Sequence, residues 1–198
     1  MLIIPSYIGL WTLQILCMLF SFGVYYFYFH KKIIHKKAQR ILLRIEQREI
    51  SFVKELQDTV LLMKSFAKIH QVELIYTSTA NDDVTIKGDP GLLRFALINI
   101  IKNGVEASAP KGSVNISLHE MLTDVYIVIE DNGNGMPKKI LSQLGKPLAS
   151  RKLNGTGLGL ASTYKITECM GGRVKVESDV NKGTIFSLYF PKWVSLEV

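Results

Sequence analysis

LINIIKNGVEAS, residues 97–108, reads as a core helix carrying two residues that a core helix does not want. Apolar residues dominate it, and Ala107 allows a neighbouring element to approach closely. Asn99 and Asn103 stand one helical turn apart, so both amides leave the same side. Asparagine is a poor helix former and is costly to bury without partners. Two of them on one oily face therefore ask for polar partners from outside the helix. Upstream, Asp89-Pro90 supplies an N-cap followed by proline at the first helical position, so the predicted helix runs from there through both asparagines.

The flanks have a globular texture from Ser51 onward. FVKELQDTVLLMKSFAKIH predicts an amphipathic helix, VELIYTS an alternating strand and VTIKG a second short strand. SVNISLHEM and DVYIVIED are strand patterns close enough to form a hairpin. GLGLASTYKITECMGG predicts a helix closed by Gly171 and Gly172, and RVKVESD with GTIFSLYFP forms a last hairpin around Val180-Asn181-Lys182. This order gives an α+β fold, a two-layer α/β sandwich with helices on one face of a mixed sheet. There is no internal repeat and no low-complexity segment.

The N-terminal part has a different character. From Met1 to Tyr28 there is no charged residue, a run longer than the roughly 20 apolar residues that span a bilayer. Positive charge follows this run rather than preceding it, at Lys31, Lys32, Lys36, Lys37, Arg40, Arg44 and Arg48. A cleaved signal peptide has the opposite arrangement, so residues 1–29 read as a retained transmembrane helix. The positive-inside rule places Met1 outside and the C-terminal domain in the cytoplasm, a single-pass protein of the cell membrane. Residues 30–49 hold seven Lys/Arg and two acids, or +5 of the net +7, leaving only +2 for the rest. That balance excludes a nucleic-acid binder with a basic stripe on its folded domain and points to anionic membrane lipid instead. Residues 30–50 read as a basic juxtamembrane helix, with Ile34, Ala38, Ile41 and Ile45 forming either a short homodimer seam or the apolar contacts of a solvated stalk. Residues 51–198 form the third segment. Cys17 and Cys169 are too far apart in character for a disulfide, which suits a reducing compartment.

Two further motifs carry chemistry. In EDNGNGM, residues 130–136, a strand delivers Asp131 to a loop whose glycines permit close backbone approach to a ligand. By itself Asp-Asn-Gly is turn chemistry. In NGTGLGL, residues 154–160, glycines lead into a helix N-terminus, whose free N–H groups make a phosphate cradle. That motif lacks the Lys-Ser/Thr ending of a P-loop and does not follow a first strand as a dinucleotide fingerprint does. Taken together and in order, Asn-x-x-x-Asn, Asp-x-Gly-x-Gly and Gly-x-Gly-x-Gly resemble the GHKL (Bergerat-fold) superfamily. Within it, the likeness is to the catalytic ATP-binding domain of bacterial sensor histidine kinases of the sporulation-kinase type, over roughly residues 51–198.

The resemblance implies ATP and Mg2+ as cofactors and assigns roles. Asn103 would be the metal ligand, an amide oxygen suiting a hard cation. Asn99 would contact the phosphates. Asp131 would accept the adenine exocyclic amine in a pocket shaped by Gly133 and Gly135 and supported by Thr184. Lys152 and the backbone of Gly155, Thr156, Gly157, Leu158 and Gly159 would cover the phosphates. In ATPases and serine kinases of the superfamily a glutamate stands where this chain has Asn99, and an amide cannot serve as a general base. Lys102 and Glu106 read as solvated helix residues.

The chain also departs from the family pattern. Residues 30–50 are too few for the two-helix hairpin that carries the phosphoacceptor histidine. None of the four histidines fits that role: His30 and His35 lack a following acid, His70 ends a helix, and His119-Glu120 lies in a sheet hairpin. Leu148 and Ala149 replace an aromatic pair that couples the ATP lid to the hairpin, and Gly104 replaces an alanine at about 1 kcal/mol of helix propensity. The expectation is phosphotransfer in trans, from this chain to a histidine on a full-length histidine kinase or a histidine phosphotransfer protein. The alternative is a non-catalytic ATP-binding regulator, or the remnant of a sensor kinase, that modulates a partner kinase.

Overall fold

The computed structural model describes residues 48–82, 84–144 and 158–193, all within one of the chain's two units, Glu46–Val198. The expected membrane span over residues 1–29 and nearly all of the basic segment lie outside the described residues. Among the described residues no helix is long and apolar enough to cross a membrane.

The elements follow in the order β1 (Arg48–Ser51), α1 (Phe52–Ile69), β2 (Glu73–Ser78), β3 (Thr85–Gly88), α2 (Pro90–Ala107), β4 (Ser113–Glu120), β5 (Asp124–Asp131), α3 (Lys138–Leu141), α4 (Leu158–Cys169), β6 (Arg173–Asp179) and β7 (Gly183–Pro191). A five-stranded sheet has the order β2-β4-β5-β7-β6. Only β2 and β4 run parallel, and the remaining pairs are antiparallel, so the sheet is mixed as expected.

The opening stretch forms its helix for the anticipated reasons. The Asp89 carboxylate accepts from the Leu92 N–H at 3.0 Å, capping α2 ahead of Pro90. At the far end the Ser108 hydroxyl donates to the Gly104 carbonyl at 2.8 Å, and the backbone at Ser108 turns extended. Leu93, Ala96, Leu97, Ile100, Ile101, Gly104 and Val105 are buried, an apolar stripe at helical spacing. They meet the inward-facing residues of the sheet: Val114, Ile116 and Leu118 on β4, Val125, Ile127 and Ile129 on β5, and Phe186, Leu188 and Phe190 on β7. The alternation places Tyr126 and Tyr189 on the opposite face, where His119, Tyr126 and Tyr189 stack at 4.9 and 5.2 Å and Arg173 lies 4.3 Å above the Tyr189 ring.

The structure differs from the sequence reading at three places. Residues 48–50 are not the end of a helix. They belong to β1, which pairs antiparallel with β3 in a separate two-stranded ribbon, so the folded domain starts before Ser51. The physical reason is that the apolar stripe of the juxtamembrane segment would continue at Arg48 and Glu49, which are charged. Ile50 instead enters the core opposite Ile86. VTIKG forms the expected strand, β3, but pairs with β1 in the ribbon and not with the main sheet. A single-turn helix, α3, follows the first glycine motif where no element was expected.

Candidate functional site

α2 forms the spine of the site. Asn99 abuts Gly159 at the start of α4, Gly104 abuts Asp131, and Ala107 abuts Gly133. The two glycine motifs therefore line the helix that carries the asparagine pair.

Asp131 closes β5 directly opposite Thr184 of β7. Its carboxylate is buried and accepts from the Gly133 N–H at 2.9 Å. Burial pushes its pKa up from the ordinary carboxylate range, against the pull of N–H groups from Gly133 and Thr184 and with the help of the Glu130 charge. A buried carboxylate with acceptor capacity to spare can read an amine on a ligand. The loop that follows is pinned at both ends. Asn132 accepts from the Ser113 N–H at 3.0 Å, the Asn134 N–H donates to the Ala107 carbonyl at 3.2 Å, and the Asn181 N–H donates to the Asn134 carbonyl at 2.8 Å. Glycine is required at two positions here. At Gly133 a Cβ would overlap the Ala107 carbonyl, and Gly135 has φ +61° with the Asp179 carbonyl where a Cβ would go.

Asn99 carries the other half of the site. Its Nδ2 is buried and has no hydrogen-bond partner among the described residues. Its Oδ1 lies 3.1 Å from the place that a Cβ on Gly159 would occupy. A buried, unsatisfied amide costs roughly 1–3 kcal/mol, so its retention calls for a partner that the described residues do not supply. Asn103 follows one turn on, half-buried on the same side. Lys102 is exposed and pairs with Glu106 at 3.8 Å, in line with the solvated reading of both. Leu158 begins α4. Lys152, Gly155, Thr156 and Gly157, with Leu148 and Ala149, lie outside the described residues.

Ser178 was not picked out from the sequence. Its hydroxyl receives the Met136 N–H at 2.8 Å, donates to the Gly183 carbonyl at 2.9 Å and lies 3.0 Å from the Thr184 hydroxyl. It thereby fastens the glycine loop to the last hairpin beside Asp131. The available signal was a polar residue in register with Val174 and Val176 on the inward face of a strand. Thr163 on α4 is buried, its hydroxyl donating within the helix to the Gly159 carbonyl at 3.0 Å and lying 3.5 Å from the Ala96 carbonyl of α2.

The two histidines in the described part are engaged in structure. The His70 ring bonds the Phe66 carbonyl at 3.0 Å. The His119 ring reaches the Ser117 hydroxyl at 2.9 Å and the Thr79 hydroxyl at 3.3 Å while stacking on Tyr126. A cleft of about 340 Å³ between α1 and β2, lined by Gln57, Val60, Leu61, Lys64, Leu74 and Tyr76, shares no residue with the site.

A family model for histidine kinase-, DNA gyrase B- and HSP90-like ATPases matches residues 88–194. Sporulation kinase A of Bacillus subtilis (strain 168) is 38% identical over 131 residues, which cover 66% of this chain and 22% of that protein. Sporulation kinase C of the same organism is 37% identical over 136 residues, covering 69% and 32%. The catalytic domain of histidine kinase ThkA, in a nucleotide-free form, superposes with a TM-score of 0.67 at 26% identity, over 74% of this chain and 96% of that one. The chain thus spans about a fifth to a third of the length of the two curated relatives.

Proposed function

This chain belongs to the histidine kinase-, DNA gyrase B- and HSP90-like ATPase family, and from that premise we propose that it is a membrane-anchored, Mg-ATP-binding protein of two-component signalling that passes the γ-phosphoryl group to a histidine on another chain. The observation that carries the nucleotide reading is the buried, partnerless Asn99 amide at the glycine-opened start of α4. The buried Asp131 carboxylate, at the end of β5, packs against Gly104 farther along α2. On this reading Asp131 accepts from the adenine amine, with Gly133, Gly135 and Thr184 shaping its pocket. Asn99 donates to phosphate oxygens, and Asn103 offers its amide oxygen to Mg2+. Lys152 and the N–H groups of Gly155, Thr156, Gly157, Leu158 and Gly159 close over the phosphates. Mg2+, when bound, neutralises charge on the triphosphate.

With Asn99 in the position of a base, the site holds and orients nucleotide but does not activate water. Positioning and charge stabilisation are what phosphoryl transfer chiefly needs. Transfer in trans is favoured because His70 and His119 are both tied into the fold. The proposed partners are therefore a full-length histidine kinase or a histidine phosphotransfer protein, and anionic lipid beside residues 30–50. Residues 1–29 supply the anchor, with the domain on the cytoplasmic side. The engaged histidines equally suit the second reading, a regulator that binds ATP without chemistry.

The test is incubation of the full chain with γ-labelled ATP and candidate histidine kinases whose own ATP sites are disabled. Label on a partner histidine, lost with Asp131→Ala, is the expected result. Mg-dependent ATP binding without label on any partner would remove the transferase and leave the regulator.

A further inference from the structure

β6 is the last strand of the main sheet, bonded to β7 on one side. Among the described residues, its only other main-chain hydrogen bond is the turn from the Lys182 N–H to the Asp179 carbonyl. Its other edge therefore offers, among the described residues, N–H and C=O groups with no further main-chain partner, a template for a further strand. Proteins commonly blunt such an edge with scattered charge. The charge on β6 is ordered instead.

Along its exposed face the strand reads Arg173, Lys175, Glu177, Asp179, two cations followed by two anions. Val174, Val176 and Ser178 alternate with them on the half-buried face, where the Met136 N–H bond to Ser178 also belongs. Read in reverse, the exposed row gives two anions followed by two cations, the complement of itself. A two-fold axis relates residue i to j and j to i, so a self-complementary row suits an isologous contact. An antiparallel copy centred on Val176 sets Arg173 against Asp179 and Lys175 against Glu177, each twice, with no like charges opposed. Moving the register two places either way sets Lys175 or Glu177 against itself. Parallel pairing in register places every like charge beside its own copy.

We propose that β6 is a dimerisation edge, pairing antiparallel with β6 of a second copy of this chain in the register centred on Val176, so that the two five-stranded sheets become one. The main-chain ladder supplies the adhesion. The charges choose the register and reject other strands, since exposed ion pairs add little each. Lys175 and Glu177, now paired at 2.6 Å within one strand and mostly exposed, enter a shared four-charge cluster across the axis. The proposal is independent of whether the chain transfers phosphate.

Cross-linking on the full chain in lipid vesicles tests it. Directly opposed Cα atoms of antiparallel strands lie within disulfide reach, so Val176→Cys places one thiol on the axis. Mild oxidation is expected to link most Val176→Cys chains in pairs, against a background set by the unsubstituted chain with Cys17 and Cys169. Adding Lys175→Glu or Glu177→Lys should each lower the yield at least tenfold. Mixing those two charge variants should restore it, because only the mixed pair sets opposite charges against each other at positions 175 and 177. Lys175→Cys chains mixed with Glu177→Cys chains, both at exposed positions, give a second link that leaves Val176 in place. No link at Val176→Cys and none in that mixture, or links indifferent to the charge changes, would overturn the proposal.

Discussion

The Asp131 carboxyl is held where its charged form is disfavoured, and the direction of its pKa fixes what its replacement does. A carboxyl whose folded pKa is raised costs stability when ionised. The cost is full above the folded pKa, shrinks as pH falls, and is gone below the ordinary value of 3.8. Asp131→Asn keeps an acceptor for the Gly133 N–H, so without nucleotide it should melt no lower than the wild type at neutral pH. Any advantage should fade as the pH approaches the ordinary carboxylate value. Its ATP affinity, by contrast, should drop about tenfold or more, the worth of a hydrogen bond to a charged group. Melting curves across pH, with and without Mg-ATP, separate the two effects, and a lower melting point without nucleotide at neutral pH would contradict this account. Asn99 makes a parallel case by a different route. Asn99→Leu removes a buried, unpaired Nδ2 at similar volume, so the nucleotide-free protein should gain roughly 1 kcal/mol or more while ATP binding weakens. A stability gain opposed to an affinity loss is the signature of a residue kept for a ligand.

Among the elements, the loop after β5 and the β6–β7 hairpin behave as one unit, because Gly135 lies against Asp179 and Ser178 bonds across the seam. Gly135→Ala must hold an L-residue at φ +61°, at about 1–2 kcal/mol, and also push its Cβ into the Asp179 carbonyl. A loss of roughly 2 kcal/mol or more is expected from urea midpoints, accompanied by weaker nucleotide binding. Gly104→Ala is the contrasting case. The new Cβ would stand 3.3 Å from Asp131 and Val114, a tight approach set against a helix-propensity gain of about 1 kcal/mol, so the net change should be much smaller. The comparison also marks what sequence could and could not disclose. α2 was legible because its cap, its proline and its apolar stripe are all local, and the hairpins because strand alternation is local too. β1 was not, since only its distant partner β3 makes it a strand. Likewise the asparagines announced themselves as residue types out of place and Asp131 by its position in an ordered set of three motifs, whereas Ser178 matters only once the hairpin register brings it beside Met136 and Thr184.

At the scale of the whole chain, charge and apolar content divide sharply. No charge occurs before Tyr28, and +5 of the net +7 lies in residues 30–49. The residues proposed to meet nucleotide all lie at Asn99 or beyond. On the proposed reading the two parts do separable work, the second holding ATP and the first setting where it is held. Removing residues 1–29 should therefore leave ATP affinity unchanged, and the loss should appear only in transfer to a partner in the same membrane. Confinement to one surface turns a solution encounter into a near-intramolecular one, which is worth on the order of 10²–10⁴ in effective affinity without any new contact. With a partner kinase reconstituted in anionic vesicles, the shortened chain should lose transfer by about that range at low protein concentration and recover as its concentration is raised. The basic residues 31–48 alone should retain some vesicle binding, at about 1 kcal/mol for each cation near the surface, and that remainder should vanish at high salt. Equal transfer by both chains at every concentration would mean that the apolar segment does not serve to bring the ATP site to its acceptor.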